Sequence, residues 1–113
     1  MHTQLNLGLI GAGGIGRHLA WQLRPLSEAR LAGVYDVDPA LAQHAADELE
    51  TAAYESLETI LDAPEIEAYI LATPPHTHYE LGMQVLQRGK HLFCEKPLAL
   101  TVQHCDAMLD AAR

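Results

Sequence analysis

The chain has 113 residues, the size of one domain with a single core, and we read residues 1–113 as one unit. Fifteen acidic against seven basic side chains leave a net charge of −8, which excludes the basic footprint that holds nucleic acid or an anionic membrane surface. No apolar run approaches the ~18 residues of a membrane span, and Cys94 and Cys105 form no CxxC pair, so a reduced, cytoplasmic, soluble domain is expected.

Short apolar runs alternate with longer stretches of helical period, the pattern of parallel strands joined by crossover helices. Residues 4–10 read as the first strand. Gly11-Ala12-Gly13-Gly14-Ile15-Gly16 then turns the chain into a helix with Ile15, Leu19 and Leu23 on its predicted inner face, limited by Pro25. Residues 29–35 form the second strand and end on Asp36. Asp38-Pro39 supplies an N-cap and a proline at the first helical position, and Leu41, Ala45 and Leu49 give the second helix its stripe.

A third strand at residues 52–54 rests on the alternation alone. Ser56 caps a short helix carrying Leu57, Ile60 and Leu61. Residues 66–72 form the fourth strand, and Thr77-His78-Tyr79-Glu80 matches a capping box opening a helix to about Arg88, with Gly89 as its C-cap. Residues 91–94 are the fifth strand. A last helix starts near Thr101 with Val102, Cys105, Leu109 and Ala112 on one face. These elements predict an α/β fold, a doubly wound parallel sheet of order 3-2-1-4-5 in three α/β/α layers.

The glycine loop has the GxGxxG form, a weak signal alone. Its placement between a strand and a helix strengthens it. Gly11 permits a tight turn, Gly13 lets backbone approach a pyrophosphate, Gly16 allows close packing of helix on strand, and the helix start offers free N–H groups to phosphates. Asp36 lies 20 residues beyond Gly16, where a carboxylate can accept from both adenosine ribose hydroxyls; the plainer alternative is a turn residue ahead of a helix. A carboxylate there repels a 2′-phosphate, and no arginine follows it, so NAD is favoured over NADP.

S-adenosylmethionine is a competing ligand, because methyltransferase domains also place a glycine loop and an acid at these points. The discriminator lies further on. Ala72-Thr73-Pro74-Pro75-His76 and Glu95-Lys96-Pro97 put polar or rigid residues at the ends of the fourth and fifth strands, facing the crevice that a second, nicotinamide half needs.

Together the segments GLIGAGGIG, ATPPHTHYE and GKHLFCEKPLA resemble the glucose-fructose oxidoreductase, inositol dehydrogenase and rhizopine-catabolism (Gfo/Idh/MocA) family over nearly the whole chain. The resemblance implies an N-terminal Rossmann domain, with the family's C-terminal α+β substrate domain absent from these residues. It implies that Gly11, Gly13, Gly14, Ile15 and Gly16 hold the pyrophosphate and Asp36 the ribose. Thr73, Pro74 and Pro75 would line the cofactor path, His78 would lie near the nicotinamide half and Glu95 near its ribose. Lys96 would stand beside the reacting carbon of a polyol, sugar or related alcohol.

Hydride loss from a secondary alcohol leaves a developing carbonyl, and an ammonium can hydrogen-bond that oxygen. A surface Glu-Lys pair is the alternative for Glu95 and Lys96. The family's catalytic histidine belongs to the absent part, so these residues alone are expected to be inactive. A non-catalytic dinucleotide-sensing module and one half of a split dehydrogenase are the rival functions. A fifth strand left at the sheet edge predicts exposed apolar surface and self-association.

His76 and His78 lack a third ligand, so no metal is expected. His2, His18, His44, His91 and His104 read as surface or strand-edge residues. Cys94 and Cys105 read as small hydrophobes, and Trp21 as a possible reporter of binding.

Overall fold

The computed structural model describes residues 4–113; His2, read above as a surface residue, lies outside them. Four strands, β1 (Leu5–Ile10), β2 (Ala29–Tyr35), β3 (Ala68–Leu71) and β4 (His91–Cys94), form a parallel sheet in the order β2-β1-β3-β4. Five helices join and cover them: α1 (Gly14–Leu23), α2 (Pro39–Leu49), α3 (Leu57–Leu61), α4 (His78–Gln87) and α5 (Val102–Ala112).

The expected five-stranded order is corrected at its outer position. Residues 52–54 form no strand but a single parallel bridge between Ala53 and Val34, made by Val34 N–H to the Ala52 carbonyl (2.9 Å) and Tyr54 N–H to the Val34 carbonyl (2.8 Å). Glu50 ends α2 in the left-handed conformation and Ser56 already caps α3, so the chain between them is too short to extend further. The other strands keep the expected order, with the change of direction falling between β1 and β3.

Both faces of the sheet are covered, which is why every side chain of β3 is buried. On one face α1 and α2 pack Ala20, Ala45 and Leu49 against Leu7, Leu9 and Val34. On the other, α3 and α4 pack Ile60, Leu61 and Val85 against Ile10, Tyr69 and Leu71, and α5 lies on α4. At the amino ends of the strands, Lys90 Nζ donates to the Leu61 and Ala63 carbonyls (2.9 and 2.8 Å) and to the Tyr69 hydroxyl, which itself donates to the Ile60 carbonyl.

Three helices are turned in part from the expected stripes, which hold at Leu19, Leu23, Ala45 and Leu49 and fail at other large apolar positions. In α1 the buried residues are Gly16 and Ala20, with Leu19 and Leu23 half-buried, while Ile15 is 63% exposed. In α2 the buried stripe is Ala42, Ala45, Ala46 and Leu49, and Leu41 is exposed. In α5 the inward side chain is Met108, whereas Val102 and Leu109 are exposed. The cause is the same each time: small residues let a helix approach closely, and larger apolar neighbours are turned outward. Met108 fills the space left by Gly82, where an added Cβ would stand 2.5 Å from its Cε atom.

The capping readings divide. Asp38 Oδ1 accepts from Ala40 N–H (3.0 Å), and Ser56 with Thr59 completes a capping box on α3. Gly89, with φ 73°, follows α4 as expected. Thr77 does not form the expected capping box. A 3-10 turn (Pro75–Thr77) precedes α4, and the Thr77 hydroxyl turns back to the Pro74 carbonyl (2.7 Å) and the Thr73 hydroxyl (2.6 Å).

Candidate functional site

The site begins where β1 runs into the glycine loop. Gly11 has φ 102°, which suits glycine, and a Cβ on it would lie 2.6 Å from the Ala72 carbonyl oxygen. A Cβ on Gly16 would overlap the Gly11 carbonyl oxygen, so α1 packs directly on the loop that precedes it. Gly13 differs: its backbone is extended and a Cβ there would meet nothing within 4 Å. The first intrahelical bond runs from Arg17 N–H to the Gly13 carbonyl (3.0 Å), which leaves the N–H groups of Gly14, Ile15 and Gly16 without helical acceptors. Loop and helix start therefore present open space beside unpaired donors.

Asp36, at the end of β2, is tied to this loop. Its Oδ2 accepts from Ala12 N–H (2.7 Å) and its Oδ1 from Asp38 N–H (2.9 Å). Each carboxylate oxygen keeps acceptor capacity for a further donor. Asp36 thus makes the turn ahead of α2 and holds a fixed carboxylate beside the glycines.

A cleft of about 510 Å³ opens at the carboxyl ends of β1, β2 and β3. Of the expected site residues, Gly11, Gly13, Asp36, Thr73 and Pro74 line it. Gly14 and Ile15 stand exposed at the start of α1, Gly16 is buried beneath the loop, and Pro75 is exposed on the 3-10 turn. The sequence reading missed Val37, Leu41, Leu57 and Leu81, the apolar part of the lining. Part of their signal lay in the sequence, where Val37 directly follows Asp36 and Leu41 sits in the first turn of α2; the structure leaves both exposed (87% and 39%) although they are large apolar residues. Trp21 is half-exposed on α1, under the Arg24 guanidinium and outside the cleft lining.

The second group of expected residues follows β3 and β4. Glu95 N–H donates to the Leu71 carbonyl (3.1 Å), extending the β3–β4 ladder by one residue and leaving Glu95 half-buried. Lys96 is exposed, and no hydrogen bond or ion pair engages its ammonium among the described residues; the Lys96–Pro97 peptide is cis. His78 is only 1% exposed. Its Nδ1 lies 2.6 Å from the Pro97 carbonyl oxygen and its Nε2 2.8 Å from that of Thr73, so the ring lies beneath the two loops and joins them. Cys94 is half-buried, and burial, with Glu95 next to it, pushes its thiol up to about 11, which keeps it protonated and a poor nucleophile at neutral pH.

The model of the oxidoreductase family's NAD-binding Rossmann fold matches residues 5–113. The chain belongs to the Gfo/Idh/MocA family. It is 36% identical over 106 residues to glucose-6-phosphate 3-dehydrogenase of Bacillus subtilis, covering 94% of this chain and 30% of that protein. Among solved structures it resembles GenD2 from gentamicin A biosynthesis in complex with NAD (TM-score 0.93, 27% identity, 96% of this chain and 31% of that one). It also resembles biliverdin reductase of Synechocystis sp. PCC 6803 in complex with biliverdin and NADP+ (TM-score 0.92, 27% identity, 98% and 35%). This Gfo/Idh/MocA chain thus spans about a third of the length of the relatives it matches.

The dinucleotide named by the Gfo/Idh/MocA family model fits the residues present. Open space at Gly13 and unpaired N–H groups at the start of α1 suit a pyrophosphate, the anchored Asp36 carboxylate suits ribose hydroxyls, and the apolar lining suits a flat base. No three His, Cys, Asp or Glu side chains come together among the described residues, and no described helix is long and apolar enough to cross a membrane.

Proposed function

We propose that these residues form the cofactor half of an NAD-dependent dehydrogenase acting on a secondary alcohol of a polyol or sugar, with Lys96 beside the reacting carbon. The carrying observation is the free ammonium of Lys96 one residue past the β3–β4 ladder, at the carboxyl end of the sheet that also holds the glycine loop and Asp36. When bound, the nicotinamide accepts the hydride. Lys96 hydrogen-bonds the alcohol oxygen and stabilises the charge that develops on it, while Glu95 and Thr73 orient the groups around it. The similarity to a sugar dehydrogenase supports the substrate class. In a dehydrogenase of this family the proton acceptor would come from the substrate domain.

NAD is preferred over NADP because the Asp36 carboxylate is held beside the loop, Oδ2 by Ala12 N–H and Oδ1 by Asp38 N–H, and the exposed Val37 and Asp38 that follow offer no cation for a 2′-phosphate. The working compartment is the cytosol, where Cys94 and Cys105 stay as free thiols. Titration of the protein with NADH and NADPH, read by nucleotide fluorescence, tests the cofactor; tighter NADPH binding overturns the role of Asp36. Lys96→Ala in the natural full-length protein should lower turnover of its alcohol about a hundredfold or more with NADH affinity kept within threefold, on the scale of general acid–base and electrostatic contributions. Unchanged turnover on every polyol and sugar tested refutes the assignment. Cofactor binding with no turnover at full length would instead favour a sensing module.

We also infer that the 113-residue chain pairs with a second copy along β4, whose outer side has no strand neighbour among the described residues. Beside it an apolar groove of about 420 Å³ runs between α1 and β4, with Leu19, Leu23, Ile70 and the 58%-exposed Phe93 in or along it. Sedimentation velocity should show dimers at micromolar concentration and monomers for Phe93→Glu; a monomeric parent chain excludes the pairing.

A further inference from the structure

We propose that His78 is a positioning residue, a two-point clasp that ties the Lys96–Pro97 loop to the end of β3 and closes fully only when both ring nitrogens carry protons. The inference rests on the dinucleotide reading of the cleft, because the two loops it joins are those that flank the cofactor and present Lys96.

Both partners of the ring are carbonyl oxygens, which only accept: Pro97 at 2.6 Å from Nδ1 and Thr73 at 2.8 Å from Nε2. A neutral imidazole has one N–H, so it can satisfy one of them while its other nitrogen turns a lone pair toward an oxygen under 3 Å away. The imidazolium satisfies both through charge-assisted bonds. His78 is 1% exposed and is the first residue of α4, so no solvent competes for either ring nitrogen.

The charged groups on the elements packed around it are Glu95 and Lys96 on the loop and Glu80 on α4. On the remaining neighbours, Cys94 stays protonated, Thr73 and Thr77 spend their hydroxyls on each other and on Pro74, His76 is exposed on the 3-10 turn, and the ring of His104 from α5 stacks on Tyr79 at 3.7 Å. When the ring loses a proton one carbonyl is released. Thr73 lines the nucleotide cleft and Pro97 directly follows Lys96, so release loosens either the cofactor wall or the lysine.

Two measurements on the natural full-length protein test this. With histidines labelled with 15N, both His78 ring nitrogens should show protonated shifts on the acid side of a single transition, and the backbone amides of Lys96 and Ala72 should move with that transition. A ring carrying one proton throughout the pH range in which the protein is folded, or a Lys96 amide indifferent to the His78 transition, overturns the proposal. NADH affinity should fall about tenfold from the acid to the alkaline side, the scale of one lost bond to a charged group. In His78→Gln, whose amide can donate but does not titrate, affinity should vary less than twofold over the same range. An equal pH dependence in that variant also counts against the clasp. Failure of the parent protein to bind NADH at any pH would instead overturn the dinucleotide reading and leave the ring-nitrogen result standing.

Discussion

Two glycines of one loop are predicted to fail in opposite ways when changed to alanine. In Gly16→Ala the new Cβ meets the Gly11 carbonyl oxygen well inside 3.0 Å, a distance real Cβ atoms do not go below, and lies 3.1 Å from Ala72 Cβ. The nearer obstacle is backbone, which cannot rotate aside, so α1 must back away from the loop. Overpacking of this kind costs about 3 kcal/mol at the upper end of its usual range, and the better helix propensity of alanine returns about 1. A net loss of about 2 kcal/mol lowers the melting temperature by about 10 °C in a domain of this size.

In Gly13→Ala the Cβ meets nothing within 4 Å and the backbone is extended, a conformation alanine adopts freely. Only the small cap preference of glycine over alanine is lost, below about 1 kcal/mol. The methyl group nonetheless occupies the space beside the free N–H groups of α1. Losing one charge-assisted contact to a phosphate there weakens NADH about 10- to 100-fold. Thermal unfolding followed by circular dichroism and fluorescence titration with NADH separate the two. The reasoning is refuted if Gly13→Ala binds NADH like the parent, or if Gly16→Ala melts at the parent temperature.

Asp36→Asn keeps the shape of the side chain but turns an amide donor toward either Ala12 N–H or Asp38 N–H, both of which now need acceptors. Chemical denaturation should show a loss of about 1–2 kcal/mol, and NADH affinity should fall at least tenfold; retained affinity would remove the carboxylate from the site. Tyr69 gives a pH test. Burial raises its phenol up to about 12 from 10.0, so the folded chain keeps a proton that the unfolded chain releases. Its stability contribution is complete below pH 10 and is lost as pH rises toward 12. Tyr69→Phe should be less stable at pH 8 by about 1–2 kcal/mol and should lose less between pH 10 and 12. Cys94, whose thiol burial pushes up to about 11, is present in both proteins and cancels in the comparison. Equal slopes would show that the phenol is not buried as described.

What the sequence revealed and what it hid divide along a physical line. Parallel strands, their order and the glycine loop follow from local patterns: apolar runs, a period of 3.6 and turn residues. The rotations of α1, α2 and α5 do not, because they depend on which small residue meets which neighbour. Gly16 under Gly11, Ala42 and Ala46 under the sheet, and Gly82 under Met108 decide helix placement by distance of approach, and a count of large apolar residues points the wrong way. The third strand failed for a related reason, since its alternation gave no measure of how little chain remained between two caps.

Site residues separate in the same manner. The place of Asp36 in the cleft was legible from its spacing after the glycines, and that of Thr73 and Pro74 from the family resemblance. His78 was legible only as a histidine close to the cofactor path. Its two carbonyl partners, Thr73 five residues before it and Pro97 nineteen after it, come together only once β3 and β4 are paired and α4 has started. A residue whose function is to connect two loops has no motif of its own, because its chemistry belongs to the distance between them. The same holds for Lys96. The strand ladder that ends at Glu95 carries the lysine to the carboxyl end of the sheet, where the glycine loop also lies, and the proposed clasp at the His78 ring would act on that placement through Pro97.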